Sequence, residues 1–88
     1  MDPNPRLAVS WLPTTPGAIA LYVITESPSD VRGWWVVRRH EVRVNGVIHP
    51  HEAVRTSTLE RARASIPAGC VNLGRAVNDD PVIYETWT

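Results

Sequence analysis

The three histidines of this chain are well suited to chemistry, because three imidazoles within reach of one another form a common type of zinc site. They are His40, His49 and His51. Asn45-Gly46 between two valines is a strong signal for a β-hairpin with a two-residue turn. That turn would place His40 directly opposite His51, with His49 diagonally across on the same face.

This histidine cluster supports two interpretations. A zinc ion could hold the three neutral rings, but His-x-His is a common chance spacing and no carboxylate is evident behind the rings. The other interpretation, which we favour, is that these are partly exposed histidines at the frayed end of the hairpin, so we expect no metal and no other cofactor. Without a metal, protonation would place like charges side by side, which lowers the pKa of each imidazole. The stability of the protein should then rise with pH through the histidine range, near about 6.5.

Arginine and tryptophan crowd the same stretch, and both residue types suit contacts with phosphates, bases or acidic protein surfaces. Trp34 and Trp35 are adjacent, so a regular strand directs them to opposite faces, one to the core and the other to solvent. An alternative that the sequence leaves open is that both faces of the sheet are covered, one by a helix and the other by the N-terminal arm. The candidate binding residues are Trp35, Arg38, Arg39, Arg43, His40, His49 and His51.

Catalytic chemistry is weakly indicated. The sequence has no Gly-rich phosphate loop, and its single cysteine, Cys70, follows a predicted helix rather than preceding one. Asp79-Asp80 precedes Pro81 in a pattern typical of a solvated turn. We expect no catalytic residues and no enzymatic activity. One cysteine cannot form an internal disulfide, so the reducing cytoplasm is the expected compartment.

Charge and length limit the functional classes. The formal net charge is zero, which argues against a general nucleic-acid binder, although residues 31–63 carry seven Arg against three Glu. Eighty-eight residues with 43% hydrophobic content predict a single domain over residues 1–88. Two prolines among the first five residues predict a flexible N-terminal lead-in over residues 1–6.

The longest uncharged stretch, residues 7–25, does not resemble a membrane span. Pro13, Pro16 and Gly17 interrupt it, and each apolar run falls far short of the roughly 20 residues that a spanning helix needs. We therefore expect no membrane association.

The pattern of elements predicts an α+β fold, a small antiparallel sheet of about four to five strands with a central β-hairpin and one short helix packed on it. Twelve Val against five Leu favour strands. Ser57 and Glu60 match a capping box at the start of a helix whose apolar stripe is Leu59, Ala62 and Ile66. The predicted strands are Ala18–Thr25, buried on both faces, the two arms of the hairpin, Cys70–Val77 and Val82–Trp87.

The hairpin register also predicts a sheet edge. A two-residue turn pairs Arg39 with Glu52 and sets Pro50 opposite Glu41, at a position whose backbone N–H would point away from the partner strand. A proline is tolerated there only if no strand lies on the outer side. Val47–Glu52 is therefore predicted to be an edge.

These observations predict a small interaction module that presents a sheet edge or face to a macromolecular partner, namely a protein. The alternative is a nucleic-acid binder that uses Arg38, Arg39 and Arg43 with one exposed tryptophan. We expect a monomer or a weak homodimer, since Pro50 limits pairing at the edge.

Overall fold

The structure is a computed structural model that describes residues 11–75 and 82–88, apart from the side chains of His49 and His51. It confirms the predicted α+β fold, with a five-stranded antiparallel sheet in the order β3-β2-β1-β5-β4 and one short helix packed on it. The elements are β1 Ile19–Glu26, β2 Trp35–Val42, β3 Ile48–Thr56, α1 Leu59–Ala64, β4 Asn72–Gly74 and β5 Ile83–Trp87.

β1 is the central strand of the sheet. It pairs with β2 from Ile19 opposite Val42 to Glu26 opposite Trp35, and with β5 on its other side. β3 is an edge, as predicted, and β4 is the opposite edge. The predicted strands at Cys70–Val77 and Val82–Trp87 appear as the shorter β4 and β5, within the part of the chain that the structure describes.

The hairpin forms at Asn45-Gly46 as predicted, but its loop has three residues rather than two. The N–H of Gly46 donates to the Arg43 carbonyl at 2.7 Å, and the N–H of Arg43 donates to the Val47 carbonyl at 3.2 Å. Gly46 has a φ of 78°, the left-handed conformation that follows the tight turn in three-residue hairpin loops. The Asn45 side-chain oxygen accepts the N–H of Val47 at 3.0 Å. These bonds fix the longer loop.

The extra loop residue shifts the register next to the loop by one. His40 lies opposite Pro50, Glu41 opposite His49 and Val42 opposite Ile48. The predicted pairing of His40 with His51 is therefore wrong, as is that of Glu41 with Pro50.

A β-bulge between Arg39 and His40 cancels this shift farther along the strands. Beyond it, Arg39 lies opposite Glu52, as predicted. The bulge leaves one more residue on β3 than on β2, which offsets the extra loop residue. The two irregularities therefore compensate each other.

The N-cap of helix α1 lies one residue later in the sequence than predicted. Thr58, not Ser57, has the extended backbone of an N-cap, and its hydroxyl oxygen accepts the N–H of Arg61 at 3.0 Å. The predicted capping box is therefore wrong. The predicted apolar stripe is confirmed, with Ala62 and Ile66 buried and Leu59 packed against the core.

The core lies between one face of the sheet and α1. We call this face the covered face; its core residues on the sheet are Tyr22, Ile24 and Val37. The N-terminal segment, residues 11–15, covers the other end of the covered face. The Trp11 ring packs edge-on against Tyr22 with centroids 5.3 Å apart, and its Nε1–H donates to the Ser65 carbonyl at 2.8 Å.

The helix and the N-terminal segment therefore cover the same face, not opposite faces. The second face, which we call the open face, carries the side chains that alternate with those of the core. Burial of β1 on both faces was predicted and is wrong, because Ile19 on the open face is exposed. The predicted lead-in at residues 1–6 lies outside the described residues.

Candidate functional site

Two oppositely charged side chains are buried in the covered face. Arg39 is 1% exposed and Glu41 is 0% exposed. Arg39 Nη1 lies 2.8 Å from Glu52 Oε2, and Arg39 Nη2 lies 3.7 Å from Glu41 Oε2. Arg43 approaches the same carboxylate, with 3.3 Å between its Nε and Glu41 Oε1. Arg39 is therefore engaged inside the fold, and Arg43, whose side chain is 40% exposed, contacts the buried Glu41 from the surface.

The N-terminal segment completes this buried network. Thr15 donates its N–H to Glu41 Oε2 at 3.0 Å and its hydroxyl to Oε1 at 2.7 Å. Leu12 donates its N–H to Glu52 at 2.9 Å, and the Thr14 hydroxyl accepts from Arg39 at 2.6 Å. Buried charges are tolerated when they are paired and hydrogen-bonded in this way. Among the candidate binding residues, Arg39 therefore has a structural role.

The two tryptophans separate as their adjacency predicts. Trp35 lies on the covered face, edge-on to Tyr84 with centroids 5.2 Å apart and packed against the core. Trp34 is the exposed one, at 38%. The Arg55 guanidinium lies over the Trp34 ring, 4.9 Å from its centroid. The candidate Trp35 is thus internal, and Trp34 was missed because two adjacent valines, Val36 and Val37, leave the phase of β2 ambiguous.

Arg38 lies on the open face and lines two shallow clefts. Its guanidinium is 2.7 Å from the Asp30 carboxylate, in the loop that joins β1 to β2. A cleft of about 340 Å³ is lined by Asp30, Val31, Val36, Arg38, Ala53, Val54 and Arg55. A cleft of about 270 Å³ beside it is lined by Arg38, Arg39, His40, Pro50, Glu52 and Ala53. Both clefts border Ala53, a small residue on the edge strand.

His40 lies on the open face between Leu21 of β1 and Pro50 of β3. Burial lowers the pKa of His40, and the positive charge of Arg38 lowers it further. The backbone of His49 lies opposite Glu41, and His51 falls within the bulge. Cross-strand pairing therefore does not bring the histidines together. Among the described side chains, no group of three His, Cys, Asp or Glu residues could hold a metal ion.

The largest feature missed by the sequence prediction is an apolar surface on the open face. Three of its side chains are between 57% and 61% exposed: Ile19, Ile48 and Val71. Three half-buried apolar residues lie between them: Leu21, Val23 and Val42. Register places Ile48, Val42 and Ile19 in one row across three adjacent strands.

Val71, just before the edge strand β4, continues this surface. Asn72 is paired with Trp87, whose side chain lies on the covered face and donates its Nε1–H to Glu85 at 3.1 Å. Val71 exchanges backbone hydrogen bonds with Thr88 and directly precedes Asn72, so its side chain lies on the open face. Leu73 falls at the irregularity between Asn72 and Gly74, where alternation does not assign a face. Apolar side chains of the open face therefore lie on β3, on β1 and just before β4, and polar residues interrupt them, namely Arg38 and His40 on β2 and Thr86 and Thr88 at the end of the chain.

One end of the open face is covered. The β1–β2 loop, residues 27–34, includes the buried Pro28, and Thr25 and Val36 beside it are also buried. The uncovered part therefore extends along β1 from Ile19 to Val23.

A second ion pair fixes the helix to the sheet. Arg63 of α1 donates Nε–H to the Glu85 carboxylate at 3.1 Å, and its Nη2 also contacts that carboxylate. This hydrogen bonding holds the pKa of Glu85 below its usual range. Arg63 is therefore part of the anchoring of α1 rather than of an external site.

Within the described ranges, no helix is both long enough and apolar enough to cross a membrane. When the chain was compared with protein-family models, with curated proteins and with solved structures, none of the three comparisons found a match.

Proposed function

We propose that this chain is a small non-enzymatic interaction module that presents its sheet to a protein partner in the cytoplasm. The apolar surface of the open face carries this proposal. Small soluble proteins rarely expose a contiguous apolar patch larger than a few hundred Å², and such patches are typical of interaction sites. Exposed apolar side chains on β1, on β3 and just before β4 lose contact with water only if another surface covers them, and that burial would stabilise the association.

The face supports docking better than the edge does. β3 is an edge whose outer backbone groups could accept a partner strand. However, the bulge interrupts its regularity, and Pro50 lacks a backbone N–H. Counting from the bonded pair at Arg43 and Val47, the pair of His40 with Pro50 is a non-hydrogen-bonded one, so the proline nitrogen faces outward. A partner strand would find that position without a donor.

A protein partner fits the charges better than a nucleic acid does. Of the arginines considered for phosphate contacts, Arg39 and Arg43 lie against Glu41, and Arg38 pairs with Asp30. The formal net charge is zero. Passage through a heparin column without retention is expected, because a phosphate binder would be retained and then released by salt. Salt-dependent retention would favour the nucleic-acid alternative.

Capture from an extract of the native cell tests the proposal with matched variants. The immobilised chain is compared with the double variant Ile48→Glu and Val71→Glu, which places two charges on the open face. The control is Val44→Glu, since Val44 is an exposed apolar residue in the hairpin loop. We expect a protein that is retained by the wild type and the control and lost from the double variant. Equal retention by all three, or release by nuclease, would overturn the proposal.

A further inference from the structure

We infer that the open face binds a second copy of this chain, so that two sheets pack face to face as a two-layer sandwich. The inference rests on the proposed function, because it uses the same surface. It names the partner and the orientation in which the partner binds.

The order of the strands makes the open face complementary to itself. β1 is central, with β2 and β3 on one side and β5 and β4 on the other. A twofold axis parallel to β1 places β2 of one copy over β5 of the other, and β3 over β4. The strands of two packed sheets then run roughly in the same direction, within the usual crossing angle of about 30°.

This orientation gives each side chain a suitable neighbour. The cationic or polar residues of β2, Arg38 and His40, face the hydroxyls of Thr86 and Thr88 at the end of the chain. Hydroxyl oxygens can accept hydrogen bonds from both. Pro50 of β3 lies level with Val71 and faces it, with Ile48 next to that contact. The apolar residues of β1 face their own copies across the axis.

A twofold axis that lies in the plane of the interface but perpendicular to β1 is less favourable. It would place β2 over β2, so that Arg38 and His40 of one copy approach the strand that carries the same residues in the other. Like charges that face each other oppose association. The zero net charge adds no long-range repulsion between copies in either orientation.

The area of the face indicates a weak dimer. Five strands spaced about 4.8 Å apart span about 24 Å, and five residues from Ile19 to Val23 span about 17 Å, a flat footprint of about 400 Å². Protruding side chains expose more than this footprint, so two copies bury on the order of 1,000 Å², near the lower end of specific interfaces. We therefore expect a dissociation constant in the micromolar range.

Sedimentation velocity of the full chain over a concentration series tests the inference. We expect the mass of a dimer to appear as concentration rises. Ile19 lies on β1, close to the axis, so Ile19→Glu and Ile19→Lys should each be monomeric, because like charges then meet. An equimolar mixture of the two variants should dimerise again, because the charges that meet are opposite. Val44→Glu, in the hairpin loop beyond the paired strands, should dimerise as the wild type does.

Circular dichroism checks that the variants are folded, and Leu21→Glu with Leu21→Lys, also on β1, replaces the Ile19 pair if the latter unfolds. A wild type that is monomeric at about 1 mM, a dimer that survives Ile19→Glu, or a mixture that stays monomeric would overturn the inference. If the wild type is monomeric but still captures another protein through the open face, only the inference that the partner is a second copy of this chain is overturned. A chain that neither dimerises nor captures a protein overturns the proposed function as well.

Discussion

Arg39 and Glu41 occupy the interior of the covered face, where a charge without a partner costs several kcal/mol. Their burial depends on Thr14 and Thr15, which lie about 25 residues earlier in the chain. The pair of Arg39 with Glu52 could be predicted from the hairpin, because cross-strand distance follows from register. The burial could not, because no local pattern indicates where the N-terminal segment packs.

Removing the Glu41 carboxylate should therefore be severe. Glu41→Ala leaves the buried Arg39 with less compensating charge, and we expect a loss of about 3–5 kcal/mol in the free energy of unfolding. Asp30→Ala is the matched control, because the Asp30 carboxylate pairs with Arg38 at the surface. It should cost less than about 1 kcal/mol. Urea unfolding measures both, and equal losses would show that the buried network does not support the fold.

His40 should make the stability depend on pH. Burial, with help from Arg38, lowers its folded pKa below the value of about 6.5 in the unfolded chain. Between these two values the unfolded state binds more protons, so stability rises with pH and levels off above about 6.5. The predicted rise of stability with pH is retained, but its cause is the burial of His40 and the charge of Arg38 rather than repulsion within a His40–His51 pair.

The substitution His40→Gln should remove the part of this rise that His40 carries. Urea unfolding at a series of pH values, together with NMR titration of the His40 ring, measures the effect. An unchanged pH slope in the variant would contradict it.

At the scale of elements, α1 has six residues and is too short to be stable by itself. Its existence and its buried stripe were predictable, because capping residues and apolar spacing are local signals. Its first residue was not, because Ser57 and Thr58 are adjacent and both can cap a helix. The extended backbone conformation of Thr58 identifies it as the N-cap.

The two hydroxyl residues should differ in their contribution to stability. Thr58→Ala removes the acceptor of the Arg61 N–H and should cost about 1 kcal/mol. Ser57→Ala should change stability by no more than about 0.5 kcal/mol, because Ser57 is an exposed residue outside the cap. Thermal or urea unfolding of the two variants decides between the caps, and the reverse order would restore Ser57 as the cap.

Packing of α1 against the sheet should dominate its stability. Ile66 is buried against the core just after the helix, and Ile66→Ala removes apolar contacts and leaves a cavity. We expect a loss of about 2–4 kcal/mol in urea unfolding. A loss below about 1 kcal/mol would mean that this end of the helix is not part of the core.

At the scale of the whole molecule, the sheet, its edge strand and the helix could be predicted, but not the face that stays open. β1 is apolar on both sides, and an apolar strand pattern cannot distinguish a face covered by the same chain from a face left for a partner. Two covering pieces, α1 and residues 11–15, both pack on one side. That choice depends on contacts between residues far apart in sequence.

The three-residue loop and the bulge of the β2–β3 hairpin make one position of β3 unusually tolerant of deletion. Deletion of His51 would remove the extra residue at the bulge and leave an uninterrupted ladder on the same three-residue loop, with the described side chains of β3 on their present faces. Deletion of Ala53, two residues away, would turn either Val54 or Glu52 to the wrong face. We expect thermal unfolding to show a cooperative transition for the first deletion and none for the second, so insertions and deletions among natural variants should concentrate at the bulge.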